Sequence, residues 1–138
     1  MNIVCDTNVL VSGFLFGGHA REILRLTSRG VVSNFISPGI LREVEDALRR
    51  PKFGLHPEQV LEIIVLFKDT FEVVSPSIRV RVISSDPKDN HIIEAALAAR
   101  AEYIISGDRH LLDLTKWEDV HLVTPAQFMQ TFIDQQTG

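Results

Sequence analysis

The sequence opens with MNIVCD at residues 1–6, an uninterrupted apolar run that ends in an acid. Such a run, without alternation of polar residues, is typical of a central strand in a parallel sheet, which is buried on both faces. Helical segments then alternate with four further short apolar runs. The alternation predicts an α/β fold of three layers, α/β/α, around a mostly parallel five-stranded sheet.

The individual elements are predicted from hydrophobic periodicity and from helix start signals. Residues 75–85 are ambiguous, because residues 78–82 alternate like an edge strand but are equally compatible with a loop. The strands are predicted at residues 2–5, 31–36, 71–74, 103–106 and 121–123, and the helices at residues 8–16, 20–29, 38–50, 57–70, 87–101, 109–114 and 125–133.

Length and composition indicate one ordinary globular domain, residues 1–138. Hydrophobic residues make up 45% of the chain, and the mean hydropathy is +0.11. No stretch approaches the ~20 apolar residues of a membrane span, and no basic segment precedes a long apolar run, so we expect a cytoplasmic protein without membrane contact. Cys5 is the single cysteine, which excludes an internal disulfide and predicts a buried, unreactive thiol.

The charge balance is compatible with a nucleic-acid substrate once its distribution is considered. Fourteen Lys and Arg stand against eighteen Asp and Glu, a net charge of −4. If a metal neutralises four clustered acids, the remaining charges balance. Short basic groups lie at residues 49–52, 79–81 and 109–110. Each is typical of a solvated surface, and together they permit contacts with phosphate without requiring them.

Four acids stand where apolar runs stop. Asp6 and Asp108 follow predicted strands, and Glu43 and Asp89 lie near the starts of predicted helices. In an alternating strand–helix chain these positions meet at one edge of the sheet, where open α/β folds bind ligands. Clustered carboxylates repel one another unless a cation neutralises them, and oxygen ligands suit Mg²⁺ or Mn²⁺. The sequence therefore predicts a metal-dependent hydrolase of phosphate esters.

Helix capping is the structural alternative for several of these acids. Asp89 falls within the apolar arc of its helix, opposite Asn90 and Glu94. A cap would not need this buried direction, which favours metal ligation by Asp89. Asp86, directly before Pro87, occupies the position of an N-cap and is interpreted as structural.

Periodicity leaves the other positions open. Capping alone would also explain Asp6 and Asp108. Glu43 and Glu45 flank the apolar arc of their helix about equally, and proximity to the helix start favours Glu43 because each residue adds ~1.5 Å of rise. His91 falls outside the apolar arc of its helix, so we expect it to be exposed.

Five motifs follow one another along the chain. They are IVCDTNVL at residues 3–10, SPGILRE at 37–43, DPKDN at 86–90 with AA at 95–96, IISGD at 104–108 with LL at 111–112, and VTPAQF at 123–128. In order and spacing they resemble the PIN domain family, and most of all the VapC-like toxins of toxin–antitoxin pairs. The resemblance spans nearly the whole chain.

The resemblance implies a Mg²⁺- or Mn²⁺-dependent ribonuclease with a five-stranded parallel sheet, commonly homodimeric and, in toxin pairs, inhibited by a cognate antitoxin. The positions that match the acidic, metal-binding quartet of the family are Asp6, Glu43, Asp89 and Asp108. Those that match its polar support are Thr7 or Asn8, together with Ser106. Position 90 is Asn where some relatives have another acid, which implies a weaker second metal site.

The predicted mechanism is hydrolysis of an RNA phosphodiester by a metal-activated water that attacks in line. Asp6 and Asp108 hold one ion, and Asp89 binds it directly or through water. Glu43 positions the water or completes a second metal site. No serine, cysteine or histidine nucleophile is required.

Three other functions fit parts of the sequence. An aspartate-based phosphotransferase would also place Asp6 at a strand end, but Asn8 stands where its usual second acid belongs, and residues 103–108 contain no lysine. A non-catalytic, RNA-binding PIN-type domain would not need the intact quartet. An interaction module would dock a partner on the apolar face of residues 60–71, which equally well builds a core.

Apolar residues at 9–16 and 60–71 exceed what one side of a small sheet needs. We therefore expect a homodimer at micromolar concentration.

Overall fold

A computed structural model describes residues 1–78 and 87–137, with the backbone alone for residues 87–89 and 137. Within these ranges six strands alternate with seven helices and one 3₁₀ turn, Pro51–Phe53. The strands are β1 Asn2–Cys5, β2 Ser33–Ile36, β3 Glu72–Val73, β4 Tyr103–Ile105, β5 Lys116–Trp117 and β6 Val120–Val123. The helices are α1 Thr7–Leu15, α2 Gly18–Ser28, α3 Pro38–Leu48, α4 Pro57–Thr70, α5 Pro87–Ala99, α6 Arg109–Leu112 and α7 Pro125–Thr137.

The described strands form one sheet in the order β3-β2-β1-β4-β6-β5. β1 lies in the centre, where Val4 is opposite Phe35 of β2 on one side and Ile104 of β4 on the other, both in parallel. Val4 and Ile104 are completely buried, as expected for strands covered on both faces. Helices flank the sheet, so the predicted three-layer α/β/α fold is confirmed.

The described sheet has one strand more than the sequence predicts. The five predicted strands are present, although β3 is only two residues long. The additional β5 pairs antiparallel with β6 through a turn at Glu118 and Asp119, and Glu118 has a φ of 52°. Neither residue is one of the glycine or asparagine signals of a tight hairpin, so the pattern does not reveal it. In the ambiguous segment, residues 75–78 belong to no strand, and residues 79–85 lie outside the described part.

The carboxyl ends of the parallel strands lead into helices along one edge of the sheet. Asp6 follows β1, Ser37 follows β2, and Asp108 lies three residues beyond β4. Each side chain accepts a hydrogen bond from a main-chain N–H two or three residues further on, at 2.9, 3.2 and 2.8 Å respectively. Capping of this kind satisfies N–H groups that the first helical turn leaves without a partner. It also fixes both aspartates at this edge.

Helix α5 is buried on more sides than its sequence pattern predicts. It packs across β1, β2 and β4 and also contacts α3. Every residue from 92 to 96 is buried, including Glu94 at 5% exposure. The prediction that Glu94 faces away from the core is wrong, because neighbouring elements cover both the apolar face and much of the opposite one.

Most of the apolar residues predicted to form a partner surface lie in the core. They include Val9, Leu10, Val11, Val60, Ile64, Phe67 and Phe71. The members of these two segments that remain exposed are Phe16, Leu61, Val65 and Leu66. None of the helices in the described ranges is long and apolar enough to cross a membrane.

Candidate active site

Asp6 is a buried carboxylate held from two directions. Its Oδ1 accepts a hydrogen bond from the Val9 N–H at 2.9 Å, and its Oδ2 accepts one from the Ser106 hydroxyl. The main chain is fixed as well, because the Asp6 N–H donates to the Ile105 carbonyl at 3.0 Å. Pairing of β1 with β4 therefore determines where this carboxylate lies.

Ser106 joins the two strand-end aspartates. Its side chain is fully buried, and its hydroxyl donates to Asp6 while its oxygen accepts from the Asp108 N–H at 2.9 Å. Asp108 is partly buried and caps α6. One hydroxyl thus sets the position of the Asp6 carboxylate, directly after β1, and of the main chain that carries the Asp108 carboxylate. The predicted supporting role of Ser106 is consistent with this geometry.

The surroundings of Asp6 disfavour a negative charge on its carboxyl group. Burial raises the pKa of Asp6 above its ordinary value, and the nearby Asp108 carboxylate raises it further. Hydrogen bonds from Ser106, Val9 and Gly107 lower the pKa and oppose these effects without cancelling them. Two carboxylates that repel each other at a sheet edge are a suitable environment for a cation with oxygen ligands.

Glu43 lies on the helix side of the same edge. Its side chain is only 11% exposed, and its Oε2 accepts a hydrogen bond from the Thr7 hydroxyl at 3.1 Å. Because Thr7 follows Asp6 directly, this bond connects Glu43 to the segment that carries Asp6. Glu45 instead pairs with Arg49 at 3.4 Å on the surface. The structure thus separates two glutamates that periodicity left equivalent.

The remaining predicted site residues are less fully defined. Asp89 is the third residue of α5 by its backbone, and its side chain lies outside the described part of the structure, as does all of Asp86. Asn8 is exposed at the start of α1. The structure therefore brings Asp6 and Asp108 together directly and connects Glu43 to them through Thr7.

Metal ligation by the full quartet is a prediction that the described residues do not test. Among them, no three His, Cys, Asp or Glu side chains are grouped so that they could hold a metal. Asp6 and Asp108 fit a hard divalent cation in ligand type and charge. A third protein ligand would have to come from elsewhere, and Asp89 is the predicted one.

Comparison with models of protein families identifies the family of this chain. The profile of the PIN domain matches residues 2–110, a range that includes all four predicted acids. The chain belongs to the PIN domain family. PIN domains are generally metal-dependent nucleases that use divalent ions. No curated protein sequence matches the chain.

Solved structures similar to this PIN domain agree with the fold. VapBC2 from Rickettsia felis, crystallised bound to a DNA fragment from its promoter, aligns with a TM-score of 0.65 at 17% identity over 88% of this chain and 97% of the other. PAE2754 from Pyrobaculum aerophilum aligns with a TM-score of 0.60 at 14% identity over 94% and 88% of the two chains. At these identities the likeness establishes the fold alone.

One side chain at this edge of the PIN domain makes a contact that its sequence pattern does not predict. The pattern predicts His91 at the surface; its side chain is 37% exposed, and its Nδ1 lies 2.9 Å from Glu43 Oε1. The ring can approach α3 because residue 39 is glycine: a Cβ there would lie 3.3 Å from Nδ1. The only feature of the sequence that indicates this contact is a glycine near the start of one helix together with a histidine on another. It can be interpreted only when the positions of both helices are known.

Cys5 is not a second reactive group at this edge. It is the buried last residue of β1, and burial raises the pKa of its thiol to about 12, while a hydrogen bond from Asn34 lowers the pKa and the Asp6 charge raises it. A thiol with this pKa is protonated at neutral pH and is a poor nucleophile. The prediction of a buried, unreactive cysteine is in agreement with the structure.

Proposed function

We propose that this PIN domain is a Mg²⁺- or Mn²⁺-dependent endoribonuclease and the toxin of a toxin–antitoxin pair. One observation carries the proposal: the buried Asp6 carboxylate lies beside Asp108, and Ser106 fixes both. Within the described residues neither aspartate forms a salt bridge. A buried acid with a like-charged neighbour and without a basic partner is costly unless a cation binds.

Each residue at this edge has a defined part in the proposed reaction. Asp6 and Asp108, with Asp89 from α5, would hold the cation, which supplies charge neutralisation at the phosphate and lowers the pKa of a bound water. Ser106 orients Asp6 through its hydroxyl. Glu43, oriented by Thr7, would accept a hydrogen bond from the water that attacks the phosphorus in line with the leaving oxygen.

The proposal extends to partners and location. Similarity of fold to VapBC2 supports an antitoxin as the partner, and an enzyme that cleaves cellular RNA would work in the cytoplasm. The exposed apolar side chains at 16, 61, 65 and 66 support a homodimer. Light scattering would test assembly, since a 15.5 kDa particle throughout the micromolar range would exclude the dimer. Co-purification with the product of an adjacent short reading frame would test the antitoxin.

The activity itself is tested with purified protein and a single-stranded RNA. We expect internal cleavage with Mg²⁺ or Mn²⁺, none with EDTA, and none from Asp6→Asn. Cleavage that persists in EDTA would contradict the proposal. Metal binding without cleavage would favour a non-catalytic PIN domain, and hydrolysis of small phosphate esters through a phosphorylated Asp6 would favour a phosphotransferase.

A pair of variants tests the predicted assignments at the start of α5. Asp89→Asn should abolish cleavage and weaken Mn²⁺ binding, because Asp89 is the predicted third ligand. Asp86→Ala should lower stability by ~1 kcal/mol as a lost cap while leaving the folded protein active. An active Asp89→Asn variant, or a fully stable Asp86→Ala variant that is inactive and no longer binds metal, would move the ligand from Asp89 to Asp86 or outward to Asn90.

A further inference from the structure

His91 takes part in a contact that joins three helices. Glu43 of α3 accepts a hydrogen bond from Thr7 of α1 on Oε2 at 3.1 Å, and its Oε1 lies 2.9 Å from His91 Nδ1 of α5. We propose that His91 is a positioning residue that holds the Glu43 carboxylate in the orientation needed for RNA cleavage. The inference rests on the proposed nuclease function and assigns a role within that site to a residue outside the acidic quartet.

The chemistry of the contact fixes its direction. An ionised carboxylate can only accept, so the proposed contact requires the tautomer of His91 that carries its hydrogen on Nδ1. Because Thr7 and His91 donate to different oxygens, the carboxylate of Glu43 cannot rotate without breaking one of the two bonds. The unused lone pairs of Glu43 therefore keep constant directions, which is what a group that orients a water molecule requires.

The surroundings show that the contact is built into the fold. Glu43 is 11% exposed, so its charge has lost most of its hydration and depends on donors from the protein. His91 supplies one of them from a residue 48 positions away in the sequence. The imidazole ring fits because Gly39 has no Cβ, which would lie 3.3 Å from Nδ1.

A second histidine–glutamate pair in the same chain serves as the matched comparison. His19 and Glu22 lie 3.1 Å apart within α2, and their side chains are 56% and 47% exposed. This pair has the same chemical groups at a similar distance, but it is local and solvated, and it is not part of the candidate active site. Its removal should leave RNA cleavage unchanged, as is usual for exposed pairs.

The kinetic experiment compares His91→Ala, His91→Asn and His19→Ala under Mn²⁺ with single-stranded RNA. His91→Ala should lower kcat by roughly 10- to 100-fold, as is found for residues that orient active-site ligands, with little change in KM. His91→Asn should recover most of the loss, because an amide N–H can replace Nδ1–H. Free imidazole should partly rescue His91→Ala, since a cavity of about 160 Å³ borders the ring.

Two outcomes of these kinetics would overturn the inference. One is a His91→Ala enzyme with the kcat of the wild type. The other is an equal loss in His91→Ala and His91→Asn without imidazole rescue. In a Glu43→Gln background, His91→Ala should cause no further loss, whereas a merely structural role would give a separate, additive one.

A spectroscopic readout keeps the inference distinguishable from the proposed function. In ¹⁵N spectra of the imidazole, His91 should show a protonated Nδ1 that changes in Glu43→Gln, whether or not RNA is cleaved. Absence of this signature would overturn the positioning contact. Wild-type protein without metal-dependent cleavage would overturn the proposed function, and active wild-type protein that is indifferent to His91→Ala would overturn the inference alone.

Discussion

The strand side and the helix side of the candidate site are held by different kinds of contact. On the strand side, Asp6 is bound by main-chain and side-chain donors at the ends of β1 and β4, and Ser106 connects it to Asp108. On the helix side, the contacts that Glu43 makes within the described residues come from the side chains of Thr7 and His91, on two other helices.

This difference follows from what determines each position. Cys5 pairs with Ile105 in the register of β1 and β4, so the next residues, Asp6 and Ser106, must be neighbours. The approach of α5 to α3 depends instead on side-chain size, above all on the absence of a Cβ at Gly39. We therefore expect the geometry of the strand side to persist when the packing of side chains changes. The geometry of the helix side should change with that packing.

The largest expected effect is on the strand side. Asp6→Asn should reduce cleavage by ~10³-fold or more, because a metal ion supplies several kcal/mol of transition-state stabilisation and each 1.36 kcal/mol is tenfold in rate. Single-turnover cleavage measured with saturating Mn²⁺ would check it. Asp46→Asn, an exposed acid on α3, is the control and should retain full activity. Comparable activity of the two variants would remove Asp6 from the site.

Ser106→Ala should have the next largest effect. The variant loses the donor to Asp6 and the acceptor for the Asp108 N–H, so both groups lose their alignment. We expect a ~10- to 100-fold loss of activity and a loss of stability of ~1–3 kcal/mol, because the buried Asp6 carboxylate loses a hydrogen-bond donor. Urea unfolding and cleavage assays would measure the two effects. Ser28→Ala, whose exposed hydroxyl bonds locally to Arg25, should change neither. A fully active Ser106→Ala enzyme would show that strand pairing alone suffices.

The strand side could be predicted from the sequence because it follows from chain topology. An apolar run that ends in an acid at Asp6, and a second that ends near Asp108, predict that both residues lie at one edge of the sheet. The same alternation predicts the strands β1, β2 and β4 and the starts of the helices that follow them. Residues 75–85 carry the least regular part of the pattern, and residues 79–85 lie outside the described structure.

The helix side could not be predicted in the same way. Periodicity ranks the faces of a helix only when one face is solvated. Because α5 is covered on more than one side, the pattern wrongly places Glu94 in solvent and does not reveal the contact of His91 with Glu43. Glu43 and Glu45 flank their apolar arc symmetrically, and only their contacts distinguish them: Glu43 meets Thr7 and His91, whereas Glu45 pairs with Arg49. Tertiary packing, which a single sequence does not show, decided all of these positions.

The stability of the strand side should also depend on pH, through the buried carboxyl group of Asp6. The pKa of Asp6 is raised in the folded state, mainly by burial. As pH rises from ~4, the unfolded chain loses this proton first, so the folded state binds more protons and its relative stability falls until pH passes the folded pKa. Without metal, Asp6→Asn should escape this fall.

The measurement is urea unfolding of both proteins in EDTA over a series of pH values. The free energy of unfolding of wild type minus that of Asp6→Asn should decrease as pH rises through this window and then level off. Other titrating groups cancel in the difference, provided that they do not contact Asp6. A constant difference, or one that increases with pH, would contradict burial as the cause of the raised pKa.

The smallest expected effect is on the helix side and tests its dependence on packing. Gly39→Ala adds one methyl group 3.3 Å from His91 Nδ1, so the ring must move by a few tenths of an ångström and its bond to Glu43 must weaken. We expect roughly a threefold to tenfold lower kcat, since small displacements of positioned groups are costly. The melting temperature should stay the same or rise, because alanine is favoured over glycine in a helix by ~0.5–1 kcal/mol. In His91→Ala, which lacks the ring, the added methyl group should have no further effect on kcat. Lower activity without lower stability would distinguish a positioning contact that depends on packing from general damage to the fold. An unchanged kcat in Gly39→Ala would show instead that the helix side tolerates packing changes as well as the strand side does.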